Sequence, residues 1–219
     1  MEIQNISPST CVVRDTASKR GRTEAIAPGT TTASRHLHYG RVILDAGSPA
    51  FRIETGERET GFVCLKGSAT LQVAGTSYAL VRYDALYVPR EAAVSIVAGA
   101  DGCDLAEISA PVTKRHPVQH VAFANVQADP GLHFNAGGPA SKRDLNVLLG
   151  KNVQAGRIMA GVTFSEQGNW TSWPPHEHAA MLEEAISTST CRRRRSACSC
   201  STPIRASRSW RRSCAKAMW

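Results

Sequence analysis

Between Arg41 and Pro111 the sequence repeats one pattern: runs of 5 to 9 residues rich in Val, Ile, Leu, Phe and Tyr, separated by Gly, Pro, Asp or Ser. The runs are RVILD, FRIET, TGFVCLKG, SATLQVAG, ALYVPR, AAVSIVAG and CDLAEISAP. Such spacing suits an antiparallel sandwich or barrel and leaves no stretch with helical period. In SATLQVAG, Ala69, Leu71 and Val73 alternate with Thr70 and Gln72, so one face of that strand packs inward and the other meets water. None of the runs approaches the ~18 apolar residues a membrane-spanning helix needs. The first 30 residues hold Lys19, Arg20 and Arg22 without the apolar stretch of a secretory signal, so a soluble cytoplasmic protein is expected.

Around this block the chain divides by composition. Residues 1–38, rich in Ser, Thr and Arg, read as an irregular arm with at most a short edge strand. Residues 39–112 read as an all-β domain. Residues 113–143 read as a connector, because Pro130, Gly131, Gly137, Gly138 and Pro139 disfavour regular structure. Strand-like runs resume with LNVLLG and RIMAGVTF, so a second β unit is expected over 144–185. Two successive β units make an internal duplication a natural expectation.

The formal net charge of +8 suggests a nucleic-acid or anionic-membrane partner until its location is examined. Residues 1–184 carry 17 Lys and Arg against all 18 Asp and Glu, whereas residues 185–219 carry 9 Lys and Arg and no acid. The basicity therefore belongs to the tail. The tail also holds Cys191, Cys198, Cys200 and Cys214, in a spacing that matches no common zinc module, and it lacks Val, Leu, Phe, Tyr and Gly. Cys11, Cys64 and Cys103 are scattered, as in a reduced cytosol.

His176 and His178 stand two apart, so on a strand both imidazoles project from one face. Glu183 follows five residues after His178, an odd offset that needs a bend or bulge before its carboxylate can join them. Two imidazoles and a carboxylate with an open position suit Zn²⁺, Mn²⁺ or Fe²⁺, which polarises a carbonyl or hydroxyl oxygen. The bland reading is a pair of exposed strand histidines. For Glu184 the choice lies between an exposed or ion-paired side chain and an acid/base role. Trp170 and Trp173 read as wall or core residues in preference to a sugar-stacking surface. Pro174 and Pro175 suit the start of an edge strand, and His36, His38, His116, His120 and His133 fall in the arm or in apparent loops.

The string GNWTSWPPHEHAAMLEE, residues 168–184, resembles the metal-binding motif of the cupins. With its WTSWPPH and LEE flanks it is more particularly similar to the 5-deoxy-glucuronate isomerase family, two-cupin enzymes of myo-inositol breakdown. The likeness is specific over about 20 residues and looser over 40–165. It implies a two-cupin architecture, with His176, His178 and Glu183 as ligands of one divalent metal and a structural first cupin. In that first cupin the segment Asp84–Arg90 looks like a second cupin motif lacking its His. It also implies aldose–ketose isomerisation of 5-deoxy-glucuronate to 5-dehydro-2-deoxy-gluconate, with a small sugar acid as partner and the catalytic base unidentified. A homo-oligomer is compatible with this reading. The uronate ketol-isomerase of pectin degradation and a non-enzymatic sugar-binding cupin stand as alternatives.

The rest of the second barrel, with a fourth ligand, is expected after Glu184. Instead the sequence turns into the basic tail, with neither strand period nor His. Read in the frame that starts at the third base of the Ile186 codon, one consistent codon choice gives a string beginning LYIDMPAPAF and ending REGDV. That string has apolar strands and balanced charge, and it continues LEEA as the isomerase family would. Residues 186–219 are accordingly read as frameshifted, with the second cupin incomplete and the 219-residue chain inactive. Arg192–Arg195 then carry no nucleic-acid function.

Overall fold

The computed structural model describes residues 7–171 and 182–188. A one-turn helix α1 (Pro8–Cys11) precedes β1 (Gly21–Ile26), β2 (His38–Leu44), β3 (Phe51–Glu54), β4 (Arg58–Val73), β5 (Thr76–Leu80), β6 (Ala85–Val88), β7 (Ala93–Pro111) and β8 (Gln119–Val121). Helix α2 (Phe123–Ala128) leads to β9 (His133–Ala136), β10 (Arg143–Leu149) and β11 (Ala160–Ser165). The first eight strands form one antiparallel sheet in the order β1-β2-β7-β4-β6-β8, with β3 on β7 and β5 on β4. The last three form a second sheet, β11-β10-β9. The architecture is all-β, as the run pattern predicts, and of the cupin type that the resemblance implies.

Two pairs of runs that look separate in the sequence are continuous strands. TGFVCLKG and SATLQVAG join in β4, and AAVSIVAG and CDLAEISAP join in β7. The glycines and Asp between them mark corners within a strand. The β4 and β7 ladder shifts register between Cys64 and Lys66 and again between Gly67 and Ala69, and such bulges bend a strand and let it serve two sheet walls. Gly67 and Gly102 face each other at this corner, both with positive φ, and a Cβ at Gly67 would stand 2.0 Å from the Gly102 carbonyl oxygen. Only glycine fits there.

Both faces of the central sheet are buried. Val42, Leu44, Phe62, Cys64, Leu86, Val88 and Leu105 face the barrel interior together with Leu71, Leu80 and Ile96. The alternate residues Val63, Ala85, Tyr87, Ala106 and Ala110 pack outward against Val126, Leu148, Leu149 and Ile158 of the following unit. Two-sided burial explains the unbroken apolar runs GFVCL and ALYV, where one-sided strands alternate. At the barrel edge Ala69, Leu71 and Val73 are buried while Thr70 and Gln72 are exposed, as the alternation predicts.

The connector is more ordered than its Gly and Pro content suggests, since 113–143 contains β8, α2 and β9. Its regular pieces avoid the Gly and Pro clusters: Val121 and Val126 insert into the outward core, and β9 pairs with β10. The arm is likewise partly regular, with β1 at the sheet edge beside β2. Three histidines assigned to the arm or loops lie in strands: His38 begins β2, His120 sits in β8 and His133 begins β9. Among the described residues no helix is long and apolar enough to cross a membrane.

Candidate functional site

The segment carrying Glu183 lies against the N-terminal arm. After β1 the chain folds into a tight loop, in which the Thr30 and Thr32 hydroxyls donate to the Ala27 carbonyl at 2.6 and 3.0 Å. The Ala33 N–H donates to the Thr10 carbonyl at 3.1 Å and ties α1 to this loop. Residues 34–37 then lead into β2. The single hydroxyl proton of Ser34 is shared between the Leu37 carbonyl at 2.5 Å and Glu183 Oε2 at 3.0 Å.

Into this turn Glu183 inserts its carboxylate. The N–H of Arg35 donates to Oε1 at 2.9 Å, and the N–H groups of His36 and Leu37 donate to Oε2 at 3.0 and 2.8 Å. Three successive N–H groups converging on one anion form a backbone nest. Burial works to raise the Glu183 pKa, but the N–H groups of Leu37, His36 and Arg35 and the Ser34 hydroxyl outweigh it, so the carboxyl is held below its ordinary range. The folded form thus gains from this contact above the ordinary carboxylate range and loses the gain as pH falls through the lowered value. Beside the nest lies a cavity lined by Thr10, Cys11, Thr32, Leu37 and Glu184.

A second buried carboxylate repeats the arrangement. Glu59, fully buried on β4, accepts the Tyr87 hydroxyl at 2.8 Å and the N–H groups of Gly156, Arg157 and Ile158 at 2.7, 2.5 and 2.9 Å. It fastens the loop before β11 to the first cupin. Burial in this site and the adjoining carboxylate push the Tyr87 phenol pKa upward, so that group stays protonated and donating.

Two ion pairs stand on β7. Arg22 grips the buried Glu107 in a two-point contact at 2.7 and 2.6 Å. Arg41 grips Asp104 through Nε at 2.8 Å and through Nη2, and its Nη1 lies 3.5 Å from the Ser187 hydroxyl. At the start of β2, Glu24 meets His38 at 2.9 Å and Arg58 at 3.2 Å. There burial works to raise the Glu24 pKa and the His38 and Arg58 contacts lower it, with a net fall.

Of the expected metal ligands, His176 and His178 lie outside the described residues, as do Trp173, Pro174, Pro175 and the whole of 189–219. Glu183 is placed in the arm's nest. Among the described residues no group of three or more His, Cys, Asp or Glu is arranged to hold a metal ion. Trp170, expected as a wall or core residue, is 39% exposed, and its N–H donates to the Ala140 carbonyl. The buried cysteines Cys64 and Cys103 are free thiols, and desolvation pushes Cys64 up to about 12. They are poor nucleophiles.

Sequence reasoning missed the nest and the Glu59 latch. The nest is built from backbone N–H groups and leaves no residue signature beyond Ser34. The latch does leave one: Glu59, like Arg41 and Glu107, is a charge inside a run otherwise destined for the core. Such a residue must find partners.

The fold thus defines a cupin whose first barrel supports the start of a further β unit. The chain belongs to the KduI/IolB family, whose model matches residues 12–190. Among curated relatives, the 4-deoxy-L-threo-5-hexosulose-uronate ketol-isomerase of Oceanobacillus iheyensis is 28% identical over 167 residues, covering 68% of this chain and 59% of that protein. The enzyme of the same name from Opitutus terrae is 31% identical over 164 residues, covering 72% and 57%. The chain therefore spans less than two thirds of the length of these relatives. A solved IolB-like protein from Salmonella typhimurium LT2 has a TM-score of 0.63 at 21% identity, over 76% of this chain and 62% of that one, a likeness of fold.

Proposed function

We propose that the chain comes from an aldose–ketose isomerase of a deoxy-uronic acid, with 5-deoxy-glucuronate as substrate and 5-dehydro-2-deoxy-gluconate as product. The observation that carries the isomerase reading is the family match over residues 12–190. The choice of substrate rests on the resemblance of residues 168–184. A second reading, ketol-isomerisation of 4-deoxy-L-threo-5-hexosulose-uronate, is favoured by the names of the curated relatives.

The reaction removes a proton from the carbon beside a carbonyl, passes through an enediol and returns a proton to the neighbouring carbon. It needs a base in reach of that C–H and donors aimed at the developing oxyanion. The resemblance implies a divalent metal in the second role. The one described member of its ligand set does not fit: the Glu183 carboxylate is committed to three N–H groups and a hydroxyl. No step is therefore assigned to a metal.

The family match ends at residue 190, close to the composition break at Ala185, which supports the frameshift reading of the tail. The expected result is that the 219-residue chain turns over neither uronate, while the gene continued in the frame that starts at the third base of the Ile186 codon converts 5-deoxy-glucuronate. Turnover by the 219-residue chain at the rate of the frame-restored one removes the frameshift reading. Conversion of 4-deoxy-L-threo-5-hexosulose-uronate alone installs the second reading, and inertness of the restored chain toward both uronates removes the isomerase.

A further inference from the structure

We propose that His38 is a proton-operated partner switch at the base of the β1–β2 loop. When neutral, its Nδ1 accepts a hydrogen bond from Arg58 of β4. When protonated, the same atom donates to Glu24 of β1 and Arg58 is released from the ring.

One ring nitrogen is in reach of two groups of opposite kind. Nδ1 of His38 lies 2.9 Å from Glu24 Oε1 and 2.6 Å from Arg58 Nη1, and Nη1 lies 3.2 Å from the same Oε1. A guanidinium only donates and an ionised carboxylate only accepts. Nδ1 therefore presents its lone pair to Arg58 or an N–H to Glu24, and it cannot do both at once. In the neutral ring the proton sits on Nε2, and the two hydrogens of Nη1 go one to Nδ1 and one to Oε1. Uptake of a solvent proton at Nδ1 turns the lone pair into an N–H. That hydrogen faces the hydrogens of Nη1, cation against cation, so Arg58 turns away from the ring while Glu24 gains a charge-assisted bond.

The surroundings leave the choice to these two partners. Arg22 of β1 and Glu107 of β7 also line the site, but they hold each other at 2.7 and 2.6 Å. Tyr39, next to His38 on β2, packs in the outward core. The side chains of His38, Arg58 and Glu24 are 20, 25 and 45% exposed, so solvent protons reach the ring and Arg58 has water to turn into. His133 marks the contrast: its Nδ1 donates to the Gln127 carbonyl and its Nε2 lies 2.9 Å from Asp144, both acceptors, so a proton gained there exchanges no partner. Glu24 lies near the end of β1 and His38 opens β2, so the pair brackets the loop whose residues 34–37 seat Glu183. The neutral form ties the base of that loop to β4 through Arg58. The charged form fastens it directly, β2 to β1.

The test is ring-nitrogen NMR of the histidine-labelled full chain at about pH 8 and about pH 5, either side of the range in which imidazoles change charge, with His38 assigned from His38→Gln. At the higher pH Nδ1 is expected to carry no proton, and Arg58→Met should move its resonance by removing the donor. At the lower pH an Nδ1–H is expected, and in Glu24→Ala it should exchange with water about tenfold faster, the scale of one lost charge-assisted bond. The Arg58 guanidinium, followed by its own nitrogen signals, should be restricted at the higher pH and rotate freely at the lower. If either variant loses its far-UV circular dichroism, the two pH values compared in the parent chain decide alone. A proton on Nδ1 at the higher pH, none at the lower, or an Arg58 guanidinium equally restricted at both overturns the switch. So does an Nδ1 resonance indifferent to Arg58→Met, or an Nδ1–H whose exchange is unchanged in Glu24→Ala.

Discussion

Glu59→Ala is expected to lower the folding stability by about 3–5 kcal/mol, the range for removing one partner of a buried charged network. The substitution strands the N–H groups of Gly156, Arg157 and Ile158 and the Tyr87 hydroxyl, all of which converge on the lost carboxylate. Each orphaned donor costs about 1–3 kcal/mol when it stays dry, and water entering the vacated volume recovers part of that. Glu59→Gln keeps one acceptor oxygen but turns an amide N–H₂ toward donors, so its cost should be smaller, about 1–3 kcal/mol. Urea unfolding followed by circular dichroism gives the stability change. Hydrogen exchange gives its location, because the amides of 156–158 should lose protection before those of the β4 and β7 ladder. A Glu59→Ala protein as stable as the parent would mean that the loop before β11 is held by something else.

Arg41→Ala is expected to cost a similar amount, about 3–5 kcal/mol, for a related reason. Arg41 side chain is 6% exposed and Asp104 15%, and the two-point contact between β2 and β7 satisfies both. Truncating the arginine leaves a nearly buried carboxylate without its cation. Replacing both partners by apolar residues of similar volume, as in Arg41→Met with Asp104→Leu, removes the desolvated charges together and should recover most of the loss. A double-mutant cycle by urea unfolding reads the coupling, which should be at least about 2 kcal/mol for groups in direct contact. A cycle that closes near zero would show that the pair contributes no specific interaction.

These two sites mark where the sequence is readable and where it is not. The strands of the first cupin were legible because Val, Ile, Leu and Tyr recur at strand length between Gly and Pro. The alternation at Ala69, Leu71 and Val73 assigned the inward face correctly. The joins within β4 and β7 were hidden, because Gly67 and Gly102 punctuate a corner as they would a turn. Local sequence cannot tell a bulge from a chain reversal. In the connector, Gly and Pro outweighed the short apolar signal of Val121 and Val126, whose burial depends on a distant sheet. Glu183 stood out by its spacing from His176 and His178, yet its partners are three backbone N–H groups and the Ser34 hydroxyl, some 147 positions earlier. Side-chain spacing cannot foresee backbone donors brought in by tertiary folding.

Whether Glu183 belongs to the arm or to a metal is decided by metal content. The 219-residue chain and its Glu183→Gln variant would be dialysed against chelator, re-exposed to Zn²⁺ or Mn²⁺, desalted and analysed by elemental mass spectrometry. With the carboxylate seated on the N–H groups of Arg35, His36 and Leu37, both proteins should retain far less than one ion per chain and should not differ. About one ion per chain in the parent, lost in the variant, would place Glu183 on the metal and contradict the nest.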